Sequence, residues 1–158
     1  MGDRGTALKL FERAYECQRR GALEDAVHLY QASLAEHPTA EAHTFLGWVY
    51  ALERRFEEAI AECKRAIEVD PTFGNPYNDI GAYLVELGRE SDAVPWFERA
   101  IAAPRYEARH FPYLNLARIH EARGAVEQAL EIVTRAAEAC PDAPAVVSAL
   151  RRLQARVN

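Results

Sequence analysis

Apolar side chains recur along this chain at intervals of three and four residues. Leu29, Tyr30 and Leu34 make one such set, and Ile60, Cys63 and Ile67 another. That is the period of helices that bury one face. The pattern predicts helices over 6–20, 23–36, 40–53, 56–69, 74–87, 90–103, 109–123, 126–139 and 144–156. Gly21, Gly88 and Gly124 fall between paired helices, where a left-handed residue ends one helix and opens the turn to the next. Arg54 holds the same place in the second pair; a non-glycine residue in that conformation costs roughly 1–2 kcal/mol. Pro38, Pro71 and Pro141 stand where a second helix has to stop. Asp142 followed by Pro144 reads as the start signal of the last helix.

A repeat underlies the periodicity. Gly21–Val27, Arg54–Ile60, Gly88–Val94 and Gly124–Leu130 align, and their alanines, Ala26, Ala59, Ala93 and Ala129, follow one another at intervals of 33, 34 and 36 residues. Seven residues after each alanine comes Ser33, Ala66, Ala100 or Ala136; five further on come Pro38, Pro71, Arg105 and Pro141. Upstream, a small residue recurs at Ala14, Gly47, Gly81 and Ala117. Small residues there let two helix backbones approach closely.

With four copies in phase, nearly the whole chain resembles the tetratricopeptide repeat family. Its departures are Arg54 at a turn glycine, Arg105 at a closing proline, and Arg13 where other copies carry Leu or Ile. The resemblance implies an all-α, right-handed α-solenoid of four helical hairpins plus a C-terminal capping helix. It divides a single domain, 1–158, into repeats at about 7–39, 40–73, 74–109 and 110–143, with the cap at 144–157. The cap has Val146, Leu150, Leu153 and Val157 on one face and Arg151, Arg152 and Arg156 on another. It is expected to cover Ala129, Leu130, Val133 and Ala137; its basic face reads as solvated, with partner recruitment as the alternative. Pro104–Arg109 lengthens the third connection by two residues, and a loop carrying Tyr and two Arg is a contact point to watch.

Composition narrows the function. The 158 residues are 49% hydrophobic and 27% charged, with net charge −5, so a soluble domain without a nucleic-acid surface is expected. No apolar run has the length of a membrane span. The stretch Met1-Gly2-Asp3-Arg4-Gly5-Thr6 has no apolar core of a secretory signal. It fits the loose myristoylation pattern without a polybasic second anchor. Cys17, Cys63 and Cys140 are distant and odd in number, which reads as small buried hydrophobes in a reducing compartment and places the protein in the cytoplasm. The phosphate-binding glycine loop, the dinucleotide fingerprint, the zinc-protease helix motif and the nucleophile elbow are missing. His28, His37, His43, His110 and His120 are scattered, and Glu57, Glu58 and Glu62 read as a solvated acidic face. No catalytic residue, metal or cofactor is expected.

In stacks of this family the first helix of each repeat lines the concave face. Carried onto this sequence, the resemblance puts Phe11 and Tyr15 there from the first repeat, Thr44, Phe45 and Trp48 from the second, Asn75, Asn78, Asp79 and Ala82 from the third, and Phe111, Leu114, Asn115 and Arg118 from the fourth. Some members bind acidic chaperone tails through a clamp of Lys, Asn and Arg. The matching places here hold Phe11, Tyr15, Phe45, Asn75 and Asp79, so no such clamp is expected. An aromatic half and a polar half remain: aromatic rings supply binding hot spots and asparagines can hold an extended peptide backbone. Asp79 can alternatively pair with Arg118. The functional expectation is an adaptor or scaffold holding a peptide or helix of a protein partner; self-assembly into a homo-oligomer is the alternative.

Overall fold

The computed structural model describes residues 2–158; Met1, part of the myristoylation-type pattern, lies outside them. The helices are α1 (Arg4–Arg19), α2 (Leu23–Glu36), α3 (Ala40–Leu52), α4 (Phe56–Val69), α5 (Asn75–Glu86), α6 (Glu90–Ala102), α7 (His110–Ala122), α8 (Val126–Ala139) and α9 (Pro144–Val157). No strand forms among the described residues; one isolated parallel bridge joins Phe73 and Arg105. Helices pack mainly with their chain neighbours, pairing α1 with α2, α3 with α4, α5 with α6 and α7 with α8. Each odd helix also touches the next odd helix, from α1 through α9, whereas even helices do not meet one another. The odd helices therefore form the inner wall of a curved α-solenoid, and the even helices splay along its outside.

The turn within each hairpin is one motif used four times. Gly21, Gly88 and Gly124 have φ of 78°, 75° and 77°, and Arg54 joins them at 60°. In each copy the next amide reaches back to a carbonyl five residues earlier: Ala22 to Cys17, Arg55 to Tyr50, Arg89 to Leu84 and Ala125 to His120, at 2.8–2.9 Å. This closure satisfies carbonyls at the end of the first helix. Arg54 thus adopts the left-handed turn without the freedom of glycine. Its guanidinium lies 5.1 Å from the centre of the Phe56 ring.

Small residues set the spacing between paired helices. Ala14, Ala26, Ala59, Ala93 and Ala129 are fully buried. A Cβ on Gly81 would lie 2.5 Å from the ring of Phe97, which is itself fully buried. Within the first repeat the Ser33 hydroxyl donates to Ala7 O at 2.7 Å, and buried Tyr30 donates to Gln18 Oε1 at 2.7 Å.

α1 starts earlier than the sequence reading, and α9 starts where expected but without the expected cap. α1 begins at Arg4, because the Asp3 carboxylate accepts from the amides of Gly5 and Thr6. At α9 the capping position belongs to Ala143, not Asp142, and no side chain caps it; Pro144 starts the helix instead. The cap buries Val146 and Leu153 completely. Its basic face is not simply solvated: Arg152 and Arg156 both donate to Glu121 of α7, the latter at 3.0 Å.

Glu62 also departs from expectation. It is 8% exposed rather than solvated, because His43 Nδ1 lies 2.8 Å from one of its oxygens and Arg65 donates to the other. The third connection folds back on the second. Gly74 N donates to Arg105 O at 2.9 Å and Arg105 N donates to Thr72 O at 3.0 Å. The Arg105 guanidinium stacks 4.3 Å from the Phe73 ring and pairs with Asp70 at 2.7 Å and Glu41 at 3.0 Å. Thr72 and Arg105 together hold the Asp70 carboxyl down to about 2. Arg109 donates to the carbonyls of Ile101 and Ala103, capping the end of α6.

Candidate functional site

α3 carries the aromatic side of the inner wall. Phe45 is its hub: the rings of Phe11, Tyr15 and Trp48 lie 5.2, 5.7 and 5.9 Å away. Those separations suit tilted and edge-on aromatic contacts. Phe45 is half-buried, whereas Trp48 remains 45% exposed and Tyr15 39%. An open ring resting on a rigid aromatic platform presents area to a partner at little entropic cost.

Beside this platform lies a cavity of about 320 Å³. α3 contributes Thr44, Phe45 and Trp48; α5 contributes Asn75, Asn78, Asp79 and Tyr83; α7 contributes Phe111. The folded-back connection closes one side with Tyr106 and Ala108. Tyr106 is fixed there because it packs directly on Gly74, where an added Cβ would fall 2.5 Å from its ring. Every lining residue thus comes from an odd helix or from the connection, and the lining contains no Lys, Arg or His.

The polar side is a short relay. Arg118 donates to Asn115 at 3.0 Å, and Asn115 donates to Asn78 at 3.1 Å. Asp79 stands beyond it. Burial pushes its carboxyl up to about 7 against a hydrogen bond from Asn78 that lowers it. The same burial, with Asp79 nearby, raises Tyr83, Tyr106 and the thiol of fully buried Cys63. No charged group offsets these shifts at Asp79 itself.

The model for the tetratricopeptide repeat matches residues 11–72 and 78–144. The chain belongs to the tetratricopeptide repeat family. Known structures agree on the fold. PilF of Pseudomonas aeruginosa is similar at 22% identity and a TM-score of 0.83, over 96% of this chain and 69% of that one. MamA is similar at 20% identity and 0.73, over 86% and 79%. The second tetratricopeptide repeat domain of Spaghetti (RPAP3), solved with the HSP90 peptide SRMEEVD, is similar at 22% and 0.60, over 63% of this chain and 94% of that one. At such identities the likeness is one of fold.

As a tetratricopeptide repeat protein, the chain distributes the expected inner-face residues unevenly. Thr44, Phe45, Trp48, Asn75, Asn78, Asp79 and Phe111 share the cavity. Phe11 borders both the aromatic platform and a separate apolar cavity beside α1, while Tyr15 packs on the platform. Asn115 and Arg118 lie beside a different cavity, lined from α5, α6 and α7. Three of the set sit beneath the surface. Thr44 is 2% exposed, with its hydroxyl donating to Ala40 O at 2.7 Å. Leu114 is 7% exposed in the core. Asn78 is 8% exposed and engaged by Asn115. Arg118 does not pair with Asp79; it reaches Asn115, one turn back on its own helix. Tyr83, Tyr106 and Ala108 complete the cavity; none was expected on the inner wall, although the 104–109 connection that carries the last two was singled out as a contact point. Tyr83 follows Asp79 by one helical turn, a spacing that signals a shared face. Nothing local in the sequence places Tyr106.

Among the described residues no group of His, Cys, Asp and Glu could hold a metal ion, and no helix is long and apolar enough to cross a membrane.

Proposed function

We propose that the concave face built from α3, α5 and α7 holds a peptide or helix of a protein partner, so that the chain works as an adaptor or scaffold rather than as an enzyme. The observation that carries this reading is Trp48: a tryptophan left 45% exposed on a packed aromatic platform, beside a cavity lined from three successive inner helices. Large exposed aromatics at the rim of a concave surface are the usual anchors of protein interfaces. The wall is unsuited to an acidic tail of the kind bound by the RPAP3 domain, because the charged residue in the cavity is Asp79 and no basic side chain lines it. Cys17, Cys63 and Cys140 are unpaired, which accords with work in the cytoplasm.

The test is a pull-down from the source cell with wild type and Trp48→Ala side by side. A partner retained by wild type and lost by a still-folded Trp48→Ala supports the reading; equal retention removes it. Self-assembly is the second reading. Leu8, 58% exposed beside the apolar cavity of Ala7, Phe11, Ser33 and His37, favours it. Light scattering over a range of concentrations separates the two, since an adaptor stays monomeric.

A further inference from the structure

The concave cavity combines two properties that a purely apolar groove lacks. It contains a carboxylate, Asp79, and around that carboxylate stand Phe45, Trp48, Tyr83, Tyr106 and Phe111. Asp79 takes part in none of the ion pairs among the described residues. The basic side chains of the neighbouring elements are engaged elsewhere. Arg118 is held by Asn115, Arg109 by the end of α6, and His43 by Glu62. Asn78 accepts from Asn115 through its oxygen and offers Asp79 a neutral hydrogen bond, which leaves Asp79 facing the cavity without a counter-charge.

An unpaired carboxyl in a partly desolvated site is unfavourable unless something positive enters. Aromatic faces attract a cation as well, and most strongly where water is displaced. From this charge complementarity, and resting on the reading of the concave face as a peptide site, we infer that the cavity receives a lysine or arginine side chain of the bound partner. The ammonium or guanidinium pairs with Asp79, and the aliphatic stem lies against Trp48 and Phe111. The volume of about 320 Å³ suits one side chain, being at the small end of the roughly 300–1,000 Å³ of small-molecule pockets.

Binding should tighten as pH rises through about 7, because the ionised carboxylate makes the pair. The other titratable groups that face Asp79 are Cys63 from α4, Tyr83 from α5 and Tyr106 from the connection, and all are pushed up, so they stay neutral through that range. α3 and α7 contribute no titratable side chain to the lining. His110 stacks on Phe111 outside the cavity.

The test uses the full chain and a phage-displayed library of random peptides. Peptides are selected on wild type, then synthesised and titrated against wild type, Trp48→Ala and Asp79→Asn. The expected result is a set of peptides that lose binding on Trp48→Ala. Each should contain a Lys or Arg whose replacement by norleucine weakens binding to wild type about tenfold or more. In Asp79→Asn that replacement should no longer matter. Peptides that depend on Trp48 but bind wild type and Asp79→Asn equally, with no basic residue needed, would overturn the inference and leave the peptide site standing. Peptides indifferent to Trp48 would overturn both.

Discussion

Asp79→Asn should make the protein more stable, and only above a certain pH. The Asp79 carboxyl sits at about 7 in the folded chain against an ordinary value of 3.8, and burial is the dominant cause. Below the ordinary value it is protonated both folded and unfolded, and it contributes nothing. Between 3.8 and about 7 the folded state keeps a proton that the unfolded chain releases, so stability falls as pH rises. Above about 7 the full penalty of a buried carboxylate is in place. A displacement of that size corresponds to roughly 4 kcal/mol as an upper bound. Asp79 is only partly buried, so water relieves part of the penalty, and about 2 kcal/mol is the working expectation. Asparagine keeps the shape and removes the charge. At this chain length each 1 kcal/mol moves the melting temperature by about 2–4 °C, so the variant should melt about 4–8 °C higher near pH 8 and level with wild type near pH 4. Thermal unfolding followed by circular dichroism at a series of pH values reads both. A variant that melts lower at every pH, or by a pH-independent margin, would show that the carboxylate is well solvated or has a cation partner. The unpaired charge behind the proposed lysine or arginine site would then be gone.

Other parts of the account are open to equally direct checks. Arg54→Gly should be neutral or raise stability by up to about 1–2 kcal/mol, since Arg54 holds φ of 60° and its cation–ring contact is exposed; a clear drop in melting temperature in denaturation experiments would mean that contact outweighs the backbone strain. Gly81→Ala should destabilise by about 1–3 kcal/mol, because the new methyl meets the buried Phe97 ring; an unchanged urea midpoint would refute the close packing of α5 on α6. Truncation after Asp142 removes Val146, Leu153 and both arginines on Glu121, and should bring aggregation or partial unfolding; a monomeric product with unchanged thermal stability would refute the role of α9 as a cap.

The helical architecture was legible because it is written in local, repeated signals. The left-handed turn at Arg54 followed from its register with Gly21, Gly88 and Gly124, and the close helix approaches at Gly47 and Gly81 followed from theirs. Signals that depend on a distant partner were not legible. Glu62 looks like any helix-surface acid until His43 arrives from the neighbouring helix. The Pro104–Arg109 insertion shows its length but not that it turns back onto Thr72 and Gly74 and carries Tyr106 into the cavity. Leu114 shares the spacing of the concave residues yet packs into the core, and Thr44 lines the cavity almost fully buried with its hydroxyl turned back to Ala40 O, differences finer than sequence spacing resolves. Asp142 has the chemistry of a helix cap, but the chain enters α9 one residue later, at Ala143.

The most direct test of the concave face as a binding surface is a comparison of its two tryptophans. Trp48 projects from an inner helix and is 45% exposed; Trp96 lies on outer helix α6, packed on Tyr77 and under Arg99. Peptides selected on wild type are titrated against Trp48→Ala and Trp96→Phe, with the melting temperature of each recorded. The account predicts that Trp48→Ala melts close to wild type and binds at least about 30-fold more weakly, the size of a 2 kcal/mol hot spot, while Trp96→Phe binds as wild type does. A Trp48→Ala protein that binds normally, or loses binding only because about 3–5 kcal/mol of stability is gone as from a core cavity, would contradict it.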